Sequence, residues 1–182
     1  MRLKIKRICA RMCVYSRKRY IYMNIDIEFA TSDVMNAVHE KTAYVSSKMT
    51  GVDPNAYERI ATTAADESYI VNAMIEGCRQ LYDVMYRYAP SASVANGMIT
   101  ISLRMPESYN EDTSAAVADK LRQYLSDYAV SVWFQATNKV EADAYRNAAL
   151  GQLTGIRVLL SEREHPTRVK PTEVRRETST YE

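Results

Sequence analysis

The chain has 182 residues, 47% hydrophobic and 25% charged, an ordinary globular composition that excludes a low-complexity or disordered polymer. No stretch approaches the roughly eighteen apolar residues that a membrane-spanning helix needs, and three cysteines are too few for a disulfide framework, which points to a reducing compartment. The net charge of +2 conceals three unlike segments: residues 1–22 carry eight basic side chains and no acid, residues 23–161 carry 11 basic and 17 acidic ones, and residues 162–182 carry five of each.

This division sets the expected organisation: a basic N-terminal extension over 1–22, a helical domain over 23–161 and a polar tail over 162–182. The extension is not expected to be a signal peptide, because Arg11, Arg17, Lys18 and Arg19 interrupt every apolar run that could serve as its core. Two readings stay open for it. It is either an arm whose cations meet phosphates, or sequence upstream of a natural start at Met23, where the composition changes and clean patterning begins.

Met23, Ile25, Ile27 and Phe29 alternate with Asn24, Asp26 and Glu28, the period of two of a half-buried strand. Ser32 or Asp33 is the expected cap of a first helix reaching Met49, with Val34, Val38, Val45 and Met49 on one face and Gly51 as its stop. Asp53-Pro54 reads as cap and first position of a short helix through Ile60. Thr62 or Thr63 opens the most strongly patterned helix, whose stripe runs Ile70, Met74, Cys78, Leu81, Met85 and Tyr88, widened by Val71, Ile75 and Tyr82. Asp66 and Glu67 sit in its first turn, where the helix dipole favours acids.

A Ser/Ala/Gly loop is expected from Pro90 to Gly97. A second strand follows, with Ile99, Ile101, Leu103 and Met105 facing one way and Pro106 ending it. Glu111 to Ser114 marks the next helix start, with Val117, Leu121, Tyr124, Leu125, Tyr128 and Val132 as its stripe. Thr137-Asn138 breaks the chain before a last helix with Val140, Tyr145, Ala149, Leu153, Ile156 and Leu160 on its apolar face. Pro166 and Pro171 stop any extension. The fold class is therefore mainly α, a bundle of about four helices with a small β-hairpin or edge-strand element.

Chemistry leaves few marks. His39 and His165 stand apart, Cys9 and Cys13 have no further ligand near them, and Cys78 sits inside an apolar stripe, so no metal site, cofactor or catalytic residue is expected. The carboxylate pairs Asp66-Glu67 and Glu111-Asp112 fall at helix starts, where the dipole accounts for them. Gly151 and Gly155 form G-x-x-x-G, expected to allow close helix approach. The unusual feature is tyrosine: fourteen, against two Phe and one Trp. Tyrosine lines core borders and protein–protein contacts alike. Stacking on nucleic acid is disfavoured for the acidic body, which repels phosphate.

Several segments together resemble uncharacterised proteins encoded among tailed-phage and prophage structural genes. They are Asp66-Glu67 through Tyr88-Ala89-Pro90, the strand ending in Met105-Pro106, the helix with Tyr128 and Trp133, and Leu159 through Arg168. More loosely, the chain is similar to the small helical head–tail connector (neck) proteins that form rings between portal and tail. The resemblance implies a non-enzymatic structural or assembly subunit in the virion or the host cytoplasm. Its partners would be copies of itself in a ring and other virion proteins, with no membrane. Under that reading Ile99, Ile101, Leu103, Tyr82, Tyr88 and Tyr128 face neighbouring subunits, since an edge strand is a template for pairing. Arg163, Arg168, Lys170, Arg175 and Arg176 of the tail meet acidic partner surfaces. The alternative is a nucleic-acid-binding regulator that uses the basic arm.

Overall fold

The computed structural model describes residues 22–51, 54–88 and 90–163. The expected cap Asp53, the whole of residues 1–21, and His165, Pro166, Arg168, Lys170, Pro171, Arg175 and Arg176 lie outside them.

The chain opens with strand β1 (Tyr22–Ala30), passes directly into helix α1 (Thr31–Met49), and continues through the short α2 (Ala56–Ile60) to α3 (Glu67–Met85). Strands β2 (Ser91–Ala95) and β3 (Met98–Pro106) follow, then α4 (Ser114–Phe134) and α5 (Lys139–Ser161). Four long helices and a three-stranded antiparallel sheet confirm a mainly α chain with a small β element.

The sheet has the order β1-β3-β2. Its register aligns the two alternating patterns: Met23 lies opposite Met105, Ile25 opposite Leu103, Ile27 opposite Ile101 and Phe29 opposite Ile99. β2 adds Ala92 beside Ile101 and Val94 beside Ile99. One face is thus an apolar sheet sealed by helices, where each aligned cross-strand pair contributes roughly 0.2–1 kcal/mol. The other face carries Asp26, Ser102 and Ser91 in one row, with the Ser102 hydroxyl donating to Asp26 Oδ1 at 2.6 Å.

β2 replaces the loop expected between Pro90 and Gly97. A two-residue turn joins it to β3, with Asn96 at φ 52° and Gly97 at φ 72°. Both sit in the left-handed region that a hairpin turn of type I′ demands, which asparagine tolerates and glycine adopts freely.

Helix α1 begins one residue earlier than its expected caps. Ala30 occupies the N-cap position without a side-chain bond, and the Thr31 N–H instead donates to Gly97 O at 2.9 Å. The hairpin turn therefore takes the place of Ser32 or Asp33. Thr63 and Asp66 open the α3 segment as foreseen: the Asp66 carboxylate accepts from both the N–H and the hydroxyl of Thr63 across a 3-10 turn (Ala64–Asp66). At α5, Asn138 Oδ1 accepts from the Glu141 N–H. Val140 falls outside the buried stripe and is 79% exposed, because at about 100° per residue it points away from the face on which Ala142, Ala149, Leu153, Ile156 and Leu160 are buried.

α4 is the central element, packed against α1, α3, α5 and β1. Val117, Leu121, Tyr124, Leu125, Ala129, Val130 and Phe134 are buried along it. The α3 contact is close at Gly77, where an added Cβ would stand 3.0 Å from Tyr128 Cδ1 and 3.1 Å from Leu125 Cδ2. The Tyr124 hydroxyl donates to Gly77 O at 3.2 Å, using the same gap. Of the G-x-x-x-G pair, Gly155 lies against the Lys120 stem, whereas a Cβ on Gly151 would meet none of the described residues within 4 Å.

Candidate functional site

The residues expected to face neighbouring subunits separate into two groups. Ile99, Ile101 and Leu103 are at most 1% exposed. Their strand is the middle one, paired along both edges. The expectation that β3 is an edge strand offering these side chains to another chain is therefore corrected: they form the centre of this chain's own core. The strands at the sheet edges are β1 and β2 instead.

The tyrosines are placed differently. Tyr128 is half-buried in α4 against Gly77, and its hydroxyl accepts from Gln80 Nε2 at 2.8 Å. Burial raises its phenol above the ordinary range, and burial raises that of Tyr124 much further. Tyr88 is half-buried in the 3-10 turn after α3. Tyr82 is exposed and lines a shallow groove of about 270 Å³ with Ile75, Cys78, Arg79, Ala92 and Val94, between α3 and the inner side of β2. One turn on, Tyr86 is 67% exposed. A hydrogen bond with Arg87, then the charge of Arg87, lowers its phenol.

Arg163, expected in a partner-binding tail, is engaged with its own helix. Its Nη1 donates to Leu160 O and Glu162 O, both at 2.9 Å, and its backbone bridges to Tyr109. A cation there satisfies carbonyls that the end of α5 leaves open and complements the helix dipole.

Three polar constellations went unmarked in the sequence. Lys41 Nζ of α1 reaches Asp127 Oδ1 of α4 at 2.6 Å and the Ser126 hydroxyl at 2.7 Å. A lysine beside a serine is the raw material of a nucleophilic dyad. Here the carboxylate takes the ammonium as an ion pair, and Ser126 is 2% exposed with its hydroxyl donated to Gln123 O. The group ties α1 to α4 and presents no oxygen to a substrate.

His39 Nδ1 lies 2.7 Å from the Thr62 hydroxyl, which in turn lies 2.8 Å from that of buried Thr42. These three fasten α1 to the segment leading into α3. Trp133 Nε1 donates to Ile60 O at 2.7 Å, and Tyr69 packs edge-on against its ring. Cys78 is buried in its stripe, and desolvation pushes its thiol up to about 11, which makes it a poor nucleophile.

Among the described residues no three His, Cys, Asp or Glu side chains converge as a metal would require. No described helix is long and apolar enough to cross a membrane. The outward faces are the chemically distinctive surface. Tyr82 and Tyr86 are exposed, and so are Val140, Leu150 and Val158 of α5, each of the last three more than half accessible. Such side chains gain free energy when another surface covers them, roughly 25 cal/mol per Å² of apolar area. Compared with known proteins, the chain matches no family model, no curated protein and no solved structure at a significant level.

Proposed function

We propose that the chain is a non-enzymatic structural or assembly subunit of the phage head–tail connector or neck kind, which works by binding copies of itself and other virion proteins. The observation that carries this reading is the set of large exposed side chains at the end of α3 and along α5: Tyr82, Tyr86 of the 3-10 turn that follows α3, Val140, Leu150 and Val158. Tyrosine is enriched where proteins meet. The order of elements and the fourteen tyrosines support the same reading. Light scattering on the full chain over a range of concentrations tests it. Growth into a defined homo-oligomer is expected; a uniform monomer at the highest soluble concentration would remove the reading.

A second reading, nucleic-acid binding by the arm, draws on the eight basic side chains in residues 1–22. It requires salt-dependent DNA binding that disappears when those residues are deleted. Binding unchanged by the deletion would dismiss it.

A further inference from the structure

Helix α5 packs on α4 through Ala142, Ala149, Leu153, Ile156 and Leu160. Its opposite face is open. At about 100° per residue, Val140, Ala144, Asn147, Gly151, Thr154 and Val158 fall within roughly 40° of one line along the helix. All six are exposed, with Leu150 beside them. None carries a charge, although Lys139, Asp143, Arg146 and Arg157 stand exposed on the same helix. The one hydroxyl on the line, that of Thr154, donates to Leu150 O. The line is thus free of unmet polar side chains except for the amide of Asn147.

Gly151 sharpens the point. No described residue lies within 4 Å of where its Cβ would be. An interior glycine weakens a helix relative to alanine, and no contact with the described residues requires one at this position. What it permits is the close approach of another backbone from outside.

The flanking charges select the occupant. Asp143 and Arg157 stand on the same side of the line, equally spaced about Leu150, and neither forms a salt bridge within the described residues. A twofold axis beside Leu150 and Gly151 sets a second α5 antiparallel on the first and keeps that flank on one side. Asp143 of each copy then lies beside Arg157 of the other, so the complementary contact occurs twice. The same operator places Val158 over Ala144, Thr154 against Asn147 and Leu150 against its equivalent, with Gly151 at the crossing. A parallel twofold would carry this flank to the opposite side of the second copy, where neither Asp143 nor Arg157 meets its complement.

We infer that the outer face of α5 is a self-association surface that pairs two copies of this chain antiparallel about a twofold axis, with Asp143–Arg157 ion pairs at both ends. The inference rests on the self-association reading and adds a surface and a symmetry to it. A ring of more than two subunits uses head-to-tail contacts, whereas this one is isologous.

Sedimentation velocity on the full chain tests the pairing, with Asp143→Arg, Arg157→Asp and the double exchange, and circular dichroism confirming equal helix content. The wild type is expected to dimerise. Each single reversal should weaken the dimer at least about tenfold, since two attractions become two repulsions. The double exchange should restore it to within about threefold. Gly151→Leu, which blocks the crossing without altering charge, should also leave monomer. A dimer indifferent to the single reversals, or a double exchange that restores nothing, overturns the inference. A larger cyclic oligomer unaffected by all four variants overturns it while leaving the proposed function standing. A monomeric wild type removes both.

Discussion

Replacing Lys41 with methionine keeps most of the side chain's volume and removes the cation that pairs with Asp127 among the described residues. Lys41 Nζ and Asp127 Oδ1 are 2.6 Å apart, with 29% and 10% of the respective side chains exposed. At an effective dielectric of about 20, unit charges about 4 Å apart attract by roughly 4 kcal/mol. Desolvation offsets several kcal/mol per buried ion. The intact pair is therefore close to neutral relative to an apolar pair, but the carboxylate alone is not. Its neighbour Ser126 donates its hydroxyl to Gln123 O and cannot stand in for the ammonium without giving up that bond. Breaking a fully buried pair costs about 3–5 kcal/mol. With Lys41 almost a third exposed, we expect Lys41→Met to cost about 2–3 kcal/mol, and the double variant Lys41→Met/Asp127→Leu to lie within about 1 kcal/mol of wild type. Urea unfolding followed by circular dichroism at pH 7 measures both. A loss below about 0.5 kcal/mol for the single variant, or a double variant that loses the sum of its parts, would refute the reasoning.

Three further outcomes follow from the packing. Gly77→Ala should destabilise by about 1–2 kcal/mol despite the gain in helix propensity, because Leu125 is fully buried and the Tyr128 ring is held by Gln80; equal or greater urea resistance would contradict the close α3–α4 contact. Ile101→Ala should cost about 2–5 kcal/mol and Tyr82→Ser less than about 0.5, and comparable losses would deny that β3 is central and Tyr82 peripheral. Stability should be flat with respect to Cys78 below about pH 9, where the thiol is neutral in both folded and unfolded chains. It should then fall by up to roughly 1.4 kcal/mol per pH unit towards pH 11, as the unfolded chain loses a proton that the native core retains. Cys78→Ala should lessen that alkaline slope, and an unchanged slope would rule out the thiol as its source.

The sequence was most readable where one face of an element is buried and the other is wet. Met23 to Phe29 and Ile99 to Met105 alternate cleanly because the sheet has a helix-covered side and an open one. β2 has little signal of its own because Ser-Ala-Ser-Val-Ala has weak strand propensity, with Ala92 and Val94 half-buried and the other three side chains exposed. The signal that could have found it was Asn96-Gly97, a hairpin turn placed just ahead of an alternating run. That omission also misplaced β3, since without β2 the strand has a free edge and its apolar side chains look available to a partner. The α1 start was misread because its first N–H is satisfied by Gly97 O, a backbone group 66 positions along the chain that no local cap rule anticipates. The Lys41–Asp127 pair joins residues 86 positions apart. Its only trace was two opposite charges, Lys41 on the apolar stripe of α1 and Asp127 among the polar side chains Gln123, Ser126 and Ser131 of α4. Val140 is apolar but lies on the side of α5 opposite Ala142, Ala149 and Leu153, and its apolar character alone drew it into a stripe whose spacing it does not share.

The account stands or falls on whether the exposed faces of α3 and α5 are covered by other copies of the chain. Native mass spectrometry of the full chain across a concentration series measures this most directly. The account predicts a discrete homo-oligomer whose share rises with concentration and falls when Asp143 is reversed to Arg. A single monomer mass at every concentration would contradict it.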